Sequence, residues 1–295
     1  AEDGIRDSVA SRGLGDVYKR QVVEGKKIAL EILENCKHRI STLQKNGIIP
    51  YIEIILVGED QESERYVGMK LKKIKEVGAN GIIRKIDEKK SNEDIIKIVN
   101  ELNVDDNVNG ILIQLPLPDR FDTKKILSQI ALEKDIDALN PVTLEKIDNN
   151  EESYFPAGVD AVLEILQRYE IKIEGKNITV IGISDLLGRP LSSILKHRGG
   201  NVKKIDVGDH LTFEDLVVSD IIITDIAKPE WLKPDMVKKG VVIIDAANNY
   251  IDGKVIGDVD FNQVVEKSSV ITPVPGGVGP ILIASLINNL VKSSE

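Results

Sequence analysis

The chain has 295 residues, enough for one large or two medium domains, with 42% apolar and 29% charged residues, ordinary proportions for a globular protein with a sizeable core. A net charge of -9 argues against a nucleic-acid surface, and no apolar run approaches the ~18 residues of a membrane span. The single cysteine, Cys36, excludes an internal disulfide framework and fits a reducing compartment; His38, His197 and His210 lack ligand spacing, so no metal site is read.

Residues 1–21 have no initiator Met and no continuous apolar segment. Asp16-Val17-Tyr18-Lys19-Arg20-Gln21 looks like the translation of a transposon end used in sequencing libraries, so we expect a non-native leader over 1–21. Ile28, Leu30, Ile32, Leu33, Cys36 and Ile40 then recur at helical spacing. Asn46-Gly47 punctuates, and residues 51–57 read as a buried strand followed by a turn at Gly58-Glu59-Asp60. The next stretch contains Tyr66 and Lys70, four apart and therefore on one helix face. A phenol beside an amine offers a planar surface, a hydroxyl and a group that changes charge readily when desolvated. By itself such a pair is more often solvated decoration; the rest of the chain has to decide.

That helix ends at Gly78-Ala79-Asn80-Gly81, and a short strand follows over 82–86. Ser91 and Asp94 form a capping-box pattern that opens a helix through Ile95, Val99 and Leu102. Gly110-Ile111-Leu112-Ile113 is a strand running into Gln114-Leu115-Pro116-Leu117-Pro118. The alternation of strand and helix implies a mainly parallel sheet, in which ligands bind off the carboxyl ends of the strands. Tyr66 and Lys70 follow one strand end and Gln114 another, so the three can converge. Gln114 offers both a donor and an acceptor. Lys134-Asp135-Ile136-Asp137 lies in a polar loop able to bring a carboxylate to the same cleft, although loop aspartates are usually turn formers.

Near 151–156 the pattern restarts with a helix through Val159, Val162, Leu163, Ile165 and Leu166, suited to bridging two domains. Residues 178–190 read as strand, glycine turn and helix, with Gly182 and Gly188 permitting close approach of a pyrophosphate to a helix N-terminus. Ser184 stands where a strict glycine fingerprint has its second glycine. A second strand over 202–207 carries Asp206, which can accept from ribose hydroxyls and would repel a 2′-phosphate. Further strands at 221–224 and 241–245 complete a Rossmann-like dinucleotide-binding half. Thr272-Pro273-Val274-Pro275-Gly276-Gly277-Val278-Gly279-Pro280 is either a connector or a stiff, backbone-lined ligand wall, and an apolar helix through Leu290 closes the chain.

From Val22 to the C-terminus these segments resemble the bifunctional methylenetetrahydrofolate dehydrogenase/methenyltetrahydrofolate cyclohydrolase family. The carriers are Ser63-x-x-Tyr66-Val67-x-x-Lys70-x-Lys72, Gly110 to Pro118, Lys134 to Asp137, Gly188-Arg189-Pro190, Gly257-Asp258-Val259 and Thr272 to Pro280. The resemblance implies an α/β fold of two domains. A folate-binding catalytic domain would comprise 22–155 and 279–295, completed by the C-terminal helix, and an NAD(P)-binding domain 156–278. It further implies Lys70 as the central acid–base group, Tyr66 packing on the folate, Gln114 supporting the lysine and Asp137 anchoring the pterin. Ile113 and Leu115, with Pro275, Gly276, Gly277, Val278 and Gly279, would contact the folate. Gly182, Ile183, Ser184, Gly188, Arg189, Pro190, Asp206 and Asn248 would hold the cofactor. The implied chemistry is oxidation of 5,10-methylenetetrahydrofolate and hydrolysis of the 5,10-methenyl cation to 10-formyltetrahydrofolate. A cationic lysine would oppose the cationic substrate, so Lys70 is expected to have a depressed pKa.

Four departures border the hinge or the cofactor domain. The family's Asp-Val-Asp-Gly is Asp135-Ile136-Asp137-Ala138, and Pro-Cys-Thr-Pro-x-Gly is Ser153-Tyr154-Phe155-Pro156-Ala157-Gly158. Gly-Lys-Pro is Ala227-Lys228-Pro229, and Asp-Val-Gly-Ile-Asn is Asp245-Ala246-Ala247-Asn248-Asn249. Most of the family uses NADP, but Ile183 stands where some members have an arginine, and Asp206 argues for NAD. Lys203, Lys204 and Arg189 are available to compensate, so NADP stays open and NAD is favoured. A dehydrogenase of another small substrate, a cyclohydrolase alone and a folate or dinucleotide binder without turnover remain alternatives. The resemblance also implies a cytoplasmic homodimer serving one-carbon metabolism and purine biosynthesis, with tetrahydrofolate derivatives as partners and neither nucleic acid nor membrane.

Overall fold

The structure, a computed structural model, describes residues 20–151, 154–206 and 213–295. Most of the expected leader (1–19), together with Ser153, Val207 and His210, lies outside the described residues. Gln21, the last residue assigned to the leader, belongs to β1 (Gln21–Val22), which pairs in parallel with a strand far along the chain.

After β1 come α1 (Gly25–Lys45), β2 (Tyr51–Val57), α2 (Gln61–Glu76), β3 (Asn80–Ile86), α3 (Asn92–Asn103) and β4 (Gly110–Ile113). β2 lies between β3 and β4 in a parallel three-stranded sheet. Its side chains are almost all buried, as expected of a strand covered on both faces. Side-chain caps set the starts of two of these helices. The Asp60 carboxylate accepts from the Ser63 amide at 2.7 Å to open α2, and Ser91 and Asp94 form the anticipated reciprocal box at α3.

Short helices α4 (Thr123–Leu127) and α5 (Pro141–Asp148) lead to α6 (Ala157–Arg168). The second unit contains β5 (Asn177–Ile181), α7 (Gly188–His197), β6 (Asn201–Ile205), α8 (Phe213–Val217), β7 (Ile221–Thr224) and β8 (Val241–Asp245). A hairpin of β9 (Asn249–Ile251) and β10 (Lys254–Ile256), α9 (Phe261–Val264), β11 (Ser268–Ile271) and α10 (Val278–Lys292) complete it. The sheet order is β1-β11-β8-β7-β5-β6, with every pairing parallel. Residues 21–22 thus extend the second sheet although they precede the first.

Two helices tie the units together. In α6, Val159, Val162, Ile165 and Leu166 enter the core of the six-stranded unit, while Ala157 packs into that of the three-stranded unit. In α10, Ile281 joins the former and Leu286, Ile287 and Leu290 the latter, against α1. Each of these Val, Leu and Ile side chains contributes about 1.5–3 kcal/mol by leaving water. α10 also carries a fully buried Asn289, whose Nδ2 donates to the Ile136 carbonyl at 3.0 Å and the Phe155 carbonyl at 3.2 Å. Two irregular segments are thereby fixed to one helix.

Two departures from the family pattern keep the backbone that glycine would favour. Ala138 and Ala227 have φ of 56° and 54°, a left-handed conformation costly for an L-residue. Ala227 is exposed, so its methyl group offers little packing in return. Ala227→Gly is expected to stabilise the protein by roughly 0.5–1 kcal/mol, read as a higher midpoint in urea without a change in slope. Asn289→Ala should destabilise it by about 2–4 kcal/mol in the same measurement, because two buried carbonyls lose their donor.

Candidate active site

The capped start of α2 sets Tyr66 and Lys70 beyond the carboxyl end of β2. Lys70 is only 5% exposed and donates from Nζ to Gln114 Oε1 at 3.2 Å. Gln114, just past β4, uses its amide nitrogen on the Leu115 carbonyl at 2.6 Å, which leaves the oxygen directed at the amine. The Tyr66 ring lies on the other side, with Nζ 4.7 Å from its centroid. Burial holds the Lys70 amine below its ordinary pKa, with Asp137 pulling the other way. Burial, and then the charge of Asp137, pushes the Tyr66 phenol up to about 12.

Asp137 sits on the 134–140 loop, whose shape is set by the two residues around it in the motif. The Asp135 carboxylate accepts from the Asn140 amide at 2.7 Å, and Asn140 Nδ2 in turn donates to the Ile130 carbonyl at 2.8 Å. Asp135 is itself buried, and desolvation pushes it up to about 7. Burial likewise raises the Asp137 carboxyl while Lys70 lowers it. The left-handed turn at Ala138 and the Asn289 bond to Ile136 hold the loop on either side of Asp137.

A cavity of about 190 Å³ is lined by Tyr66, Gln114, Leu115 and Asp137 on one wall and by Leu186, Asp225 and Ala246 on the other. Val278 lines this cavity and a larger neighbour of about 590 Å³. The larger one is walled by residues 273–280, with Lys26, Met69, Lys73 and Asn248. The Pro-Gly segment is thus a wall rather than a plain connector. It is pressed against the start of α1, where a Cβ on Gly25 would lie 1.9 Å from the Gly277 carbonyl oxygen. Together the cavities suit a flat head group in the small chamber and an elongated tail in the large one.

Several expected site residues lie elsewhere. Ile113 points into the core and is not among the residues lining either cavity. Asn248 lines the large cavity with the Pro-Gly wall rather than joining the Gly182 turn. Pro190 is buried in the first turns of α7. Arg189 is committed to Asp185 (3.1 Å from Nε, close but not aligned as a hydrogen bond) and to Asp148 at 3.2 Å. Lys203 pairs with Asp215 at 2.5 Å. Two of the three cations available to compensate for Asp206 are therefore already engaged.

The dinucleotide turn has the features a pyrophosphate needs. Gly182 has φ of 91°, and a Cβ on Gly188 would stand 1.8 Å from the Gly182 carbonyl oxygen, so the helix start lies directly against the end of β5. α7 has no side-chain cap, and the buried Ser184 Oγ has no hydrogen-bond partner. The Ile183 amide donates to Asp206 Oδ1 at 3.3 Å, which brings that carboxylate to the turn. These residues fit a bound dinucleotide.

Sequence reasoning missed Asp225 and Asn289, and it named Asp258 and Asp245 only as motif members, without their part behind the cofactor wall. Asp258 accepts from Thr224 Oγ1, the Ile226 and Lys228 amides and Asn249 Nδ2. Asp245 accepts from the Ala247 and Val259 amides, and burial pushes it up to about 7. For Asp225 a signal existed: it directly follows an apolar strand, at the end where ligands bind. Asn289 gave none, since its partners are backbone atoms distant in sequence.

Known proteins match this arrangement over nearly its whole length. The tetrahydrofolate dehydrogenase/cyclohydrolase catalytic-domain profile matches residues 23–137, and the NAD(P)-binding domain profile of the same family matches 156–295. The bifunctional protein FolD of Macrococcus caseolyticus is 37% identical over 280 residues, covering 93% of this chain and 98% of that protein. The crystal structure of FolD from Campylobacter jejuni superposes with a TM-score of 0.91 at 36% identity, covering 93% of this chain and 98% of the other. The Trypanosoma brucei FolD, solved with NADP and an inhibitor, gives 0.88 at 27% identity, with 93% and 97% covered. A lysine, tyrosine, glutamine and aspartate gathered at the junction of two parallel sheets, in a chain that matches both domain profiles, mark this protein as a member of the tetrahydrofolate dehydrogenase/cyclohydrolase family.

Proposed function

We propose that both reactions of this bifunctional enzyme run in the Lys70 pocket. The enzyme oxidises 5,10-methylenetetrahydrofolate to the 5,10-methenyl cation and hydrolyses that cation to 10-formyltetrahydrofolate. The observation that carries the assignment of sites is the buried Lys70 amine held by Gln114 and faced by Tyr66. The bound dinucleotide supplies the hydride acceptor. Tyr66 and Leu115 wall the one-carbon bridge, and Asp137, on a loop held by the Asp135 and Asn289 hydrogen bonds, binds the pterin edge. In the hydrolysis, neutral Lys70 takes a proton from water as the oxygen adds to the methenyl carbon. The bond from that carbon to N5 then breaks, N5 is protonated, and the carbonyl of the formyl group forms. Gln114 keeps the amine aimed while it changes charge. Residues 275–279 and Asn248, lining the large cavity, support a role in holding the rest of the folate.

The sign of the pH dependence follows from burial. Because desolvation lowers the Lys70 pKa from 10.5, the base form accumulates as pH rises through that lowered value. Cyclohydrolase turnover, followed by loss of methenyl absorbance, is expected to climb with pH to a plateau reached below pH 10.5. Lys70→Met should remove roughly 10²–10⁴-fold of the rate, the usual share of a positioned acid or base. A Lys70→Gln profile that differs only in amplitude would count against this role.

For the cofactor we favour NAD. Asp206 at the Gly182 turn, Ile183 in place of an arginine, and the commitment of Arg189 and Lys203 to other carboxylates all support it. The NADP found with the Trypanosoma brucei protein keeps NADP in contention. We expect a higher kcat/KM with NAD than with NADP, and Asp206→Ser should raise the NADP value about tenfold by removing one repulsive charge. We further propose division into catalytic segments 22–155 and 279–295 and a dinucleotide domain 156–278. Homodimerisation, a cytoplasmic location and a role in purine biosynthesis are proposed on family membership.

A further inference from the structure

We propose that Asp225 is a specificity-determining anion of the active site, favouring the oxidised, cationic nicotinamide over its neutral reduced form. This rests on the dehydrogenase reading above, with the dinucleotide at the Gly182 turn presenting its nicotinamide to the one-carbon bridge from the wall that carries Asp225. Asp225 is the first residue beyond β7, and its backbone is held beside the dinucleotide turn. Its amide donates to the Ile181 carbonyl at 3.0 Å, and a Cβ on Gly182 would lie 2.2 Å from the Asp225 carbonyl oxygen. Its side chain lines the cavity opposite Tyr66, Gln114 and Asp137.

The contrast with its neighbours is what assigns a ligand. Asp258 and Asp245 are buried carboxylates satisfied by the protein's own amides and hydroxyls. Among the described residues the Asp225 carboxylate accepts no hydrogen bond and pairs with no cation, and the only charge felt beside it is the like charge of Asp258. Half-buried at the cavity wall, the carboxyl is pushed up to about 6 by desolvation and then by that repulsion, a cost to its charged form. A cation in the cavity relieves that cost. The nicotinamide ring carries a positive charge until a hydride leaves the one-carbon bridge for it, and none afterwards. A fixed anion on that wall therefore separates the two redox forms, tightening the reactant cofactor and easing release of the product.

The test measures dissociation constants of the full chain and its Asp225→Asn and Asp225→Ala variants by calorimetry, without folate. The ligands are NAD+ and NADH, with NADP+ and NADPH in parallel. Asn keeps the shape and the hydrogen-bonding reach and removes the charge. Both variants are expected to bind the oxidised form about tenfold more weakly and the reduced form within about twofold of wild type. Equal losses for both redox forms would overturn the proposal and assign Asp225 to ribose hydroxyls or to local structure. Unchanged affinities would overturn it as well. Failure of the wild-type chain to bind any of the four dinucleotides would instead defeat the dehydrogenase reading on which the proposal stands.

Discussion

An amine taken almost wholly out of water is the constraint around which this molecule is built. Ammonium is among the most strongly hydrated groups a protein carries, and burying it without full compensation favours the neutral form. Among the described residues Lys70 meets a glutamine oxygen, an aromatic face and the field of Asp137. The enzyme's second substrate is a cation that must be attacked by water, so a base that is neutral and stays near that cation is what the chemistry requires. The same burial that makes the charged form costly suits the residue to the role proposed for it.

Keeping the amine there engages much of the first unit. α2 must begin at Asp60 so that Lys70 falls one turn beyond Tyr66, and β4 must end where Gln114 can turn back on Leu115. The Asp137 loop is held from inside by Asp135 and Asn140 and from outside by Asn289. Through Asn289 the final helix reaches the Asp137 loop and the segment entering α6, while its apolar side chains enter the cores of both units. On the opposite wall the logic is reversed. Asp258 and Asp245 organise backbone, tying the turn after β7 to the strand ends beside it.

The departures from the family pattern become intelligible at this level. Alanine stands at two positions with positive φ, so the turns survive with a modest strain rather than a new shape. The aromatic replacement at Phe155 leaves its carbonyl serving as an acceptor for Asn289. A motif defined by residue type is lost in these places, while the backbone that the motif serves is retained.

Local order was legible in the residues themselves. Strands 51–57, 221–224 and 241–245, the capping box at Ser91 and the shared face of Tyr66 and Lys70 follow from periodicity and short-range geometry, which the chain encodes within a few residues. The convergence of Gln114 on Lys70 spans 44 residues and that of Asn289 on Ile136 spans 153. No spacing rule reaches so far. The depressed pKa of Lys70 was inferred from the charge of the substrate, but its cause is burial, and burial exists only once the elements have packed. The pairing of Arg189 and Lys203 with carboxylates, the inward turn of Ile113 and the lack of a protein partner for the Asp225 carboxylate among the described residues are likewise properties of assembled walls. Sequence by itself determined which elements form and which chemical groups are present; tertiary structure decided which of those groups lose water and which partners remain for them, because desolvation and long-range contact have no local signature.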